Sequence, residues 1–148
     1  MQPCVQAKDP GYEKRVRDSF GQQQAMRLIG ATLGHLGPGT ARIDLPFRSD
    51  LTQQDGFLHA GIVSTIADSA GGYAGLSLMP ADSRVLTTEF KLHLLAPARG
   101  ERFTATGTVV KAGRTLTICE LRVVATDGGK DTLVAYGTQT LMCIPGPA

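Results

Sequence analysis

Asp68 and His59 are the residues of this 148-residue chain whose types and setting best suit acid–base work; they stand nine apart in the stretch HAGIVSTIADSAGGYAG. A carboxylate among small apolar neighbours can take a proton from water or attack an electrophile itself. A lone aspartate on a helix is otherwise a solvated surface group. Here Ser64, Asp68, Gly71, Gly72 and Gly75 fall on one face at steps of three and four. Each glycine costs a helix about 0.5–1 kcal/mol relative to alanine, so three on one face call for a close neighbour: another backbone, a second subunit or a ligand. His59 falls at the expected start of the same helix. It reads equally as a reacting group or as a packing or capping histidine. Nine residues turn a helix roughly half-way round and advance it about 13 Å. One helix therefore cannot bring His59 and Asp68 together, whereas two subunits related by a two-fold axis can. The first amides after His59, those of Ala60 and Gly61, lack intrahelical acceptors and lie at the positive end of the dipole. They suit a developing oxyanion.

Other reaction types lack their residues. The cysteines, Cys4, Cys119 and Cys143, are odd in number and have no CxxC spacing, which argues against a disulfide framework and against zinc. Cys119 and Cys143 fall in apolar, strand-like runs and read as buried thiols. No cluster suggests a metal, so none is expected.

The elements that must position these groups follow from periodicity. Residues 10–26 read as helical, with Gly21 dividing the segment into two pieces. Residues 31–47 read as a hairpin turning through the cluster Gly34, Gly37, Pro38 and Gly39. A polar loop covers residues 48–57. Residues 59–78 form the one long helix, burying Ile62, Val63, Ile66, Ala70, Tyr73 and Ala74, with Pro80 stopping it. From Val85 to Leu95 the chain alternates, with Leu86, Phe90, Leu92 and Leu94 expected on one face and Thr87, Glu89, Lys91 and His93 on the other. Three more strands follow, joined by turns at Gly113 and at Asp127-Gly128-Gly129. One long helix and an antiparallel meander make an α+β layer, the helix lying on the concave face of a single sheet, with residues 1–148 as one domain.

Three stretches then resemble a known family. GFLHAGIVSTIADSAGGYAG (Gly56–Gly75) resembles the signature of the phenylacetate-degradation-type thioesterases of the hotdog superfamily, with its His at the helix start and an acid nine positions later. VLTTEFKLHLLAPARG (Val85–Gly100) and VVKAGRTLTICELRV (Val109–Val123) are similar to the strand after that helix and to the hairpin with a Lys-x-Gly-Arg signature. The resemblance implies a hotdog domain hydrolysing an acyl- or aryl-CoA thioester, with Asp68 as general base or nucleophile. It implies that Gln53 stands where relatives carry an Asn orienting water or thioester, and that Ala60 replaces the Gly whose amide polarises the carbonyl. It places Thr87 at a water-positioning hydroxyl, and Lys111, Gly113 and Arg114 in a region that meets the CoA phosphates. No cofactor is implied, since CoA is part of the substrate. The implied partner is a second copy, forming sites across a homodimer that pairs again as a dimer of dimers.

The pocket walls are expected from the segment around Phe20 and Met26 and from the helix near Tyr73. Two alternatives stand beside hydrolysis: a hotdog hydratase or dehydratase, whose HFPxxPxxPG pattern is absent, and a non-catalytic acyl-CoA-binding protein. A formal charge of +2 with basic residues scattered in runs no longer than two gives no nucleic-acid stripe. No apolar run reaches the roughly 20 residues of a membrane span, and the N-terminus has no signal-peptide core. The expected location is a reducing compartment, the cytoplasm.

Overall fold

The computed structural model describes residues 5–146; Cys4 lies outside them. Two short helices, α1 (Tyr12–Gln22) and α2 (Gln24–Ile29), precede the hairpin β1 (Thr32–Gly37) and β2 (Thr40–Pro46). The long helix α3 (Ala60–Leu76) follows, then β3 (Ser83–Leu94), β4 (Arg102–Ala112), β5 (Leu116–Asp127) and β6 (Lys130–Pro145). All six strands pair antiparallel in one sheet, ordered β1-β2-β4-β5-β6-β3. Helix α3 packs on one face of it, touching β2, β3, β4, β5 and β6. This is the α+β hotdog arrangement.

Strict alternation decides which face is buried. Ala41, Ile43 and Leu45 on β2, Phe103 and Ala105 on β4, and Cys119, Leu121, Val123 and Ala125 on β5 turn toward α3 and are almost fully buried. The helix answers with Val63, Ile66, Ala67, Ala70, Tyr73 and Ala74. Each large apolar side chain so removed from water contributes about 1.5–3 kcal/mol. Where the layers touch most closely a side chain is missing: a Cβ on Gly107 would stand 2.5 Å from the Ala70 and Gly71 backbone. The β5–β6 turn is made by Gly128 and Gly129, both left-handed at φ 57° and 81°, as a two-residue hairpin requires.

Several boundaries differ from expectation. The break between the first helices falls at Gln23, whose ψ of 98° is extended, while Gly21 continues α1. Gly34 sits inside β1, beside a register shift, and the turn itself is Pro38-Gly39. His59 precedes α3 as its cap, and the helix ends at Leu76, before Pro80 can act. At that end the Ser77 hydroxyl donates to Ala74 O and accepts the Gly39 amide. Arg15 donates to the carbonyls of Leu76, Met79 and Pro80 while paired with Asp9. Free carbonyls at the helix C-terminus thereby pin α1 over α3.

The largest correction concerns β3. Its pairing with β6 slips at Thr88, where a bulge inserts one residue. Thr87 pairs with Leu141, but Phe90, Leu92 and Leu94 pair with Gln139, Gly137 and Ala135, all on the helix face. Thr87 therefore shares a face with Phe90, Leu92 and Leu94, and Leu86 is thrown to the outside. As the sheet's edge, β3 leaves Leu86, Phe90 and Leu94 at 56%, 46% and 55% exposure.

Candidate active site

Asp68 sits in the middle of α3, half-buried, with its carboxylate turned toward β3 and β6. Its Oδ1 accepts the Thr87 hydroxyl at 2.7 Å and Nε2 of Gln139 at 2.6 Å. Gln139 Nε2 also reaches Thr87 Oγ1 and the Asp68 carbonyl, both at 3.1 Å. Among the described residues Oδ2 has no hydrogen-bond partner. One carboxylate oxygen is held and the other is not. A cavity of about 310 Å³ opens beside it, lined by Asp68, Gly72, Tyr73, Thr87, Ser19 and Gln23 among others.

The walls of this cavity differ from the sequence-based reading. Ser19 and Gln23 line it, whereas Met26 is buried in the core and Phe20 stacks edge-on against Tyr73, centroids 5.9 Å apart. Tyr73 shares a hydrogen bond with Ser19 at 3.3 Å, and Ser69 donates to Gln23 at 3.0 Å. Burial raises the Tyr73 phenol above its ordinary range, against the smaller opposing pull of Ser19. Burial also pushes the Cys119 thiol up to about 12, leaving it an unreactive core group; Cys143 is free and half-buried.

The glycines of α3 divide. A Cβ on Gly71 would run into Gln139 Oε1 and Leu121, and one on Gly75 into Leu141, so these two make room for the chain's own sheet. Only Gly72 faces open space, in the Asp68 cavity.

The N-terminal end of α3 is a separate place. His59 caps the helix, its Nδ1 accepting the Gly61 amide at 2.8 Å. That acceptor role puts the proton of a neutral imidazole on Nε2. Gly61 is therefore occupied, and the Ala60 amide is the one without an acceptor among the described residues. Gln53 turns its carbonyl inward to the amides of Asp55 and Phe57, at 2.6 and 3.1 Å, and its Nε2 has no partner among the described residues. Gln53 and Ala60 both line a cavity of about 410 Å³ whose other walls are largely apolar, including Leu58, Val63, Leu94 and Val134. Neither cavity contains both Asp68 and Ala60.

Lys111, Gly113 and Arg114 lie exposed at the β4–β5 hairpin, outside both cavities. The row Ala112–Thr117–Leu141–Thr87 runs across β4, β5, β6 and β3, which puts this hairpin at the Thr87 end of the sheet. Three strand spacings of about 4.8 Å separate them by about 14 Å. Among the described residues no group of three or more His, Cys, Asp or Glu side chains could hold a metal. Gln139 escaped the sequence reading. Its one signal was a polar residue at an inward position, between Gly137 and Leu141.

Comparison with known proteins agrees with this fold. Residues 55–132 match the Thioesterase superfamily, and the match holds both Asp68 and the free helix amide. The chain belongs to the thioesterase superfamily. A candidate esterase of Saccharolobus solfataricus is 30% identical over 78% of this chain and 82% of its own. Another from Halobacterium salinarum is 32% identical over 76% and 79%. The crystal structure of a thioesterase family protein from Silicibacter pomeroyi superposes with TM-score 0.91 and 49% identity, over 92% of this chain and all of that one. The Escherichia coli PaaI protein from the phenylacetic acid degradation operon has TM-score 0.81 at 16% identity, covering 91% and 94%. That last likeness concerns the fold alone. Among the described residues of this thioesterase-superfamily chain, no helix is long and apolar enough to cross a membrane.

Proposed function

We propose that the chain hydrolyses an acyl-CoA thioester to a free acid and CoA, with Asp68 as general base or nucleophile. The observation that carries this is the carboxylate of Asp68: Oδ1 held by Thr87 and Gln139, Oδ2 unpartnered beside a cavity. As a base, Oδ2 takes a proton from water while the water oxygen attacks the thioester carbonyl carbon. As a nucleophile it attacks that carbon itself, and water then cleaves the anhydride. On either route the C–S bond breaks and the sulfur leaves as CoA thiolate, which takes up a proton. The oxyanion fits the other cavity, lined by Ala60 with its free amide and by Gln53 with its free Nε2, while His59 caps the helix next to it.

These groups meet only between two subunits. The exposed edge of β3 supports a homodimer, since unpaired strand groups and apolar side chains favour pairing with a second copy. A two-fold axis at Lys91 would pair Phe90 with the partner subunit's Leu92, face matching face, and the bulge at Thr88 would bring Thr87 beside the partner subunit's Leu94, which lines its Gln53–Ala60 cavity. Asp68 of one protomer would then face the oxyanion donors of the other. Association of such dimers in pairs, and CoA phosphates held by Lys111 and Arg114 beside Gly113, belong to the same reading.

Free-thiol release from a panel of acyl-CoAs, comparing wild type with Asp68→Asn and Asp68→Ala, tests it. Turnover by wild type and a fall of about 100-fold or more in kcat for folded variants supports the proposal. Binding of CoA esters without turnover makes the chain a binding protein. Variants as fast as wild type remove Asp68 from the chemistry.

A further inference from the structure

Gln139 is the most deeply buried polar side chain facing the site, at 1% exposure, and it comes from β6, 71 residues after Asp68. Its amide nitrogen serves three acceptors: Asp68 Oδ1, the Asp68 carbonyl and Thr87 Oγ1. Its carbonyl Oε1 is buried without a partner among the described residues. An orphaned acceptor of this kind costs about 1–3 kcal/mol, so something else must keep the residue there. Turning the amide over would not help, because Oε1 would then oppose the Asp68 carboxylate. An apolar side chain of similar shape would avoid the cost altogether.

We infer that Gln139 is the positioning residue for Asp68, fixing Oδ1 so that Oδ2 faces the cavity. This rests on the proposed role of Asp68 and extends it to a residue outside the helix and its flanking loop. The contacts divide the labour. Thr87 donates its one proton to Oδ1 and accepts from Gln139, so its hydroxyl is oriented by the amide. Gln139 then donates directly to the same oxygen. Two donors on one oxygen stop the carboxylate from rotating and leave a single oxygen to react. Gly71 belongs to the device, since a Cβ there would occupy the place of Gln139 Oε1.

Few other groups can imitate this effect on Asp68. Within α3, Tyr73 is the titratable residue lining the same cavity. From β3 the lining residues are Val85, Leu86 and Thr87, and from α1 and its junction with α2 they are Ser19 and Gln23; none of these titrates. Cys119 of β5 lies behind, against the Gly71 carbonyl. On β3, Glu89, Lys91 and His93 alternate with the helix-facing residues and so point to the opposite side of the sheet. The partner's His59, in the proposed dimer, is common to every variant, so differences between variants report on Asp68 and its donors.

The test is kcat, KM and the pH profile of kcat/KM for Gln139→Met and Gln139→Glu beside wild type and Asp68→Asn, with dimer content and circular dichroism as folding controls. Gln139→Met removes the donors at nearly constant volume. It should lower kcat about ten- to a hundredfold with little change in KM, and move the acid limb of the profile to higher pH. Gln139→Glu sets a second carboxylate against Oδ1, so one proton is shared and the acid limb should move further up. If both variants keep the wild-type kcat and acid limb while Asp68→Asn is inactive, Gln139 is a packing residue and the inference fails, with the thioesterase reading intact. If Asp68→Asn is fully active, the reading beneath it fails instead. Loss of folded dimer in both variants would make Gln139 structural and likewise overturn the inference.

Discussion

The two cavities along α3 differ in kind. At the helix N-terminus the walls are mostly apolar and the polar groups are donors: the Ala60 amide and Gln53 Nε2. Half-way along, the polar group is an acceptor, a carboxylate held by two donors among hydroxyl- and amide-bearing neighbours. One cavity suits a carbonyl oxygen gaining negative charge; the other suits removal of a proton. In the proposed reaction neither half suffices alone, and the helix holds Ala60 and Asp68 about 12 Å apart. On the proposed reading, a rigid helix carries two complementary half-sites too far apart for one subunit to use both. In the proposed dimer that spacing becomes an advantage, because a two-fold axis joins unlike halves twice.

Breaking the β3 edge should have the largest effect. With Phe90 and Leu94 both replaced by Asp, like charges would meet across the two-fold axis, at a cost of several kcal/mol. Sedimentation should show monomer and free-thiol release should disappear, while circular dichroism keeps the native spectrum. An active monomer would end the idea of shared sites. Next in size is Gln53→Glu, which keeps the acceptor for the Asp55 and Phe57 amides, removes the donor and sets a negative charge in its place. Loss of one oxyanion donor should lower kcat about a hundredfold or more. Refolding this variant together with Asp68→Asn should then restore about a quarter of wild-type activity, since half the dimers are mixed and each has one intact site. No recovery would place both residues in the same subunit's site. The smallest effect is expected far from either half. Gly107→Ala presses a methyl group against the Ala70 and Gly71 backbone and should cost about 1–3 kcal/mol in urea unfolding, with activity lost only as folded protein is lost.

Much of this was legible in the chain because it is local. The alternation of β4, β5 and β6 and the glycine pair before Lys130 set the strands and their turns through side-chain period and backbone φ, whatever the rest of the molecule does. The nine-residue separation of His59 and Asp68 already required two subunits if both were to act, because helix geometry is invariant. Other features were decided by which segments meet. The bulge at Thr88 depends on β6 pairing beside it, and it alone turns Thr87 toward Asp68. Gly71 and Gly75 called for a close neighbour, whether another backbone, a second subunit or a ligand, and that neighbour is the chain's own sheet, through the side chains of Gln139 and Leu141. Gln139 itself could not be chosen from among the polar residues of β6 until Asp68 lay against it. The sequence determined the elements and the two chemical groups, since propensity and period act within a few residues. Which oxygen of Asp68 is held, and which amide at the helix start stays free, was left to tertiary structure, because hydrogen bonds of 2.6–2.8 Å depend on atoms brought together from distant parts of the chain or by the turn into the helix.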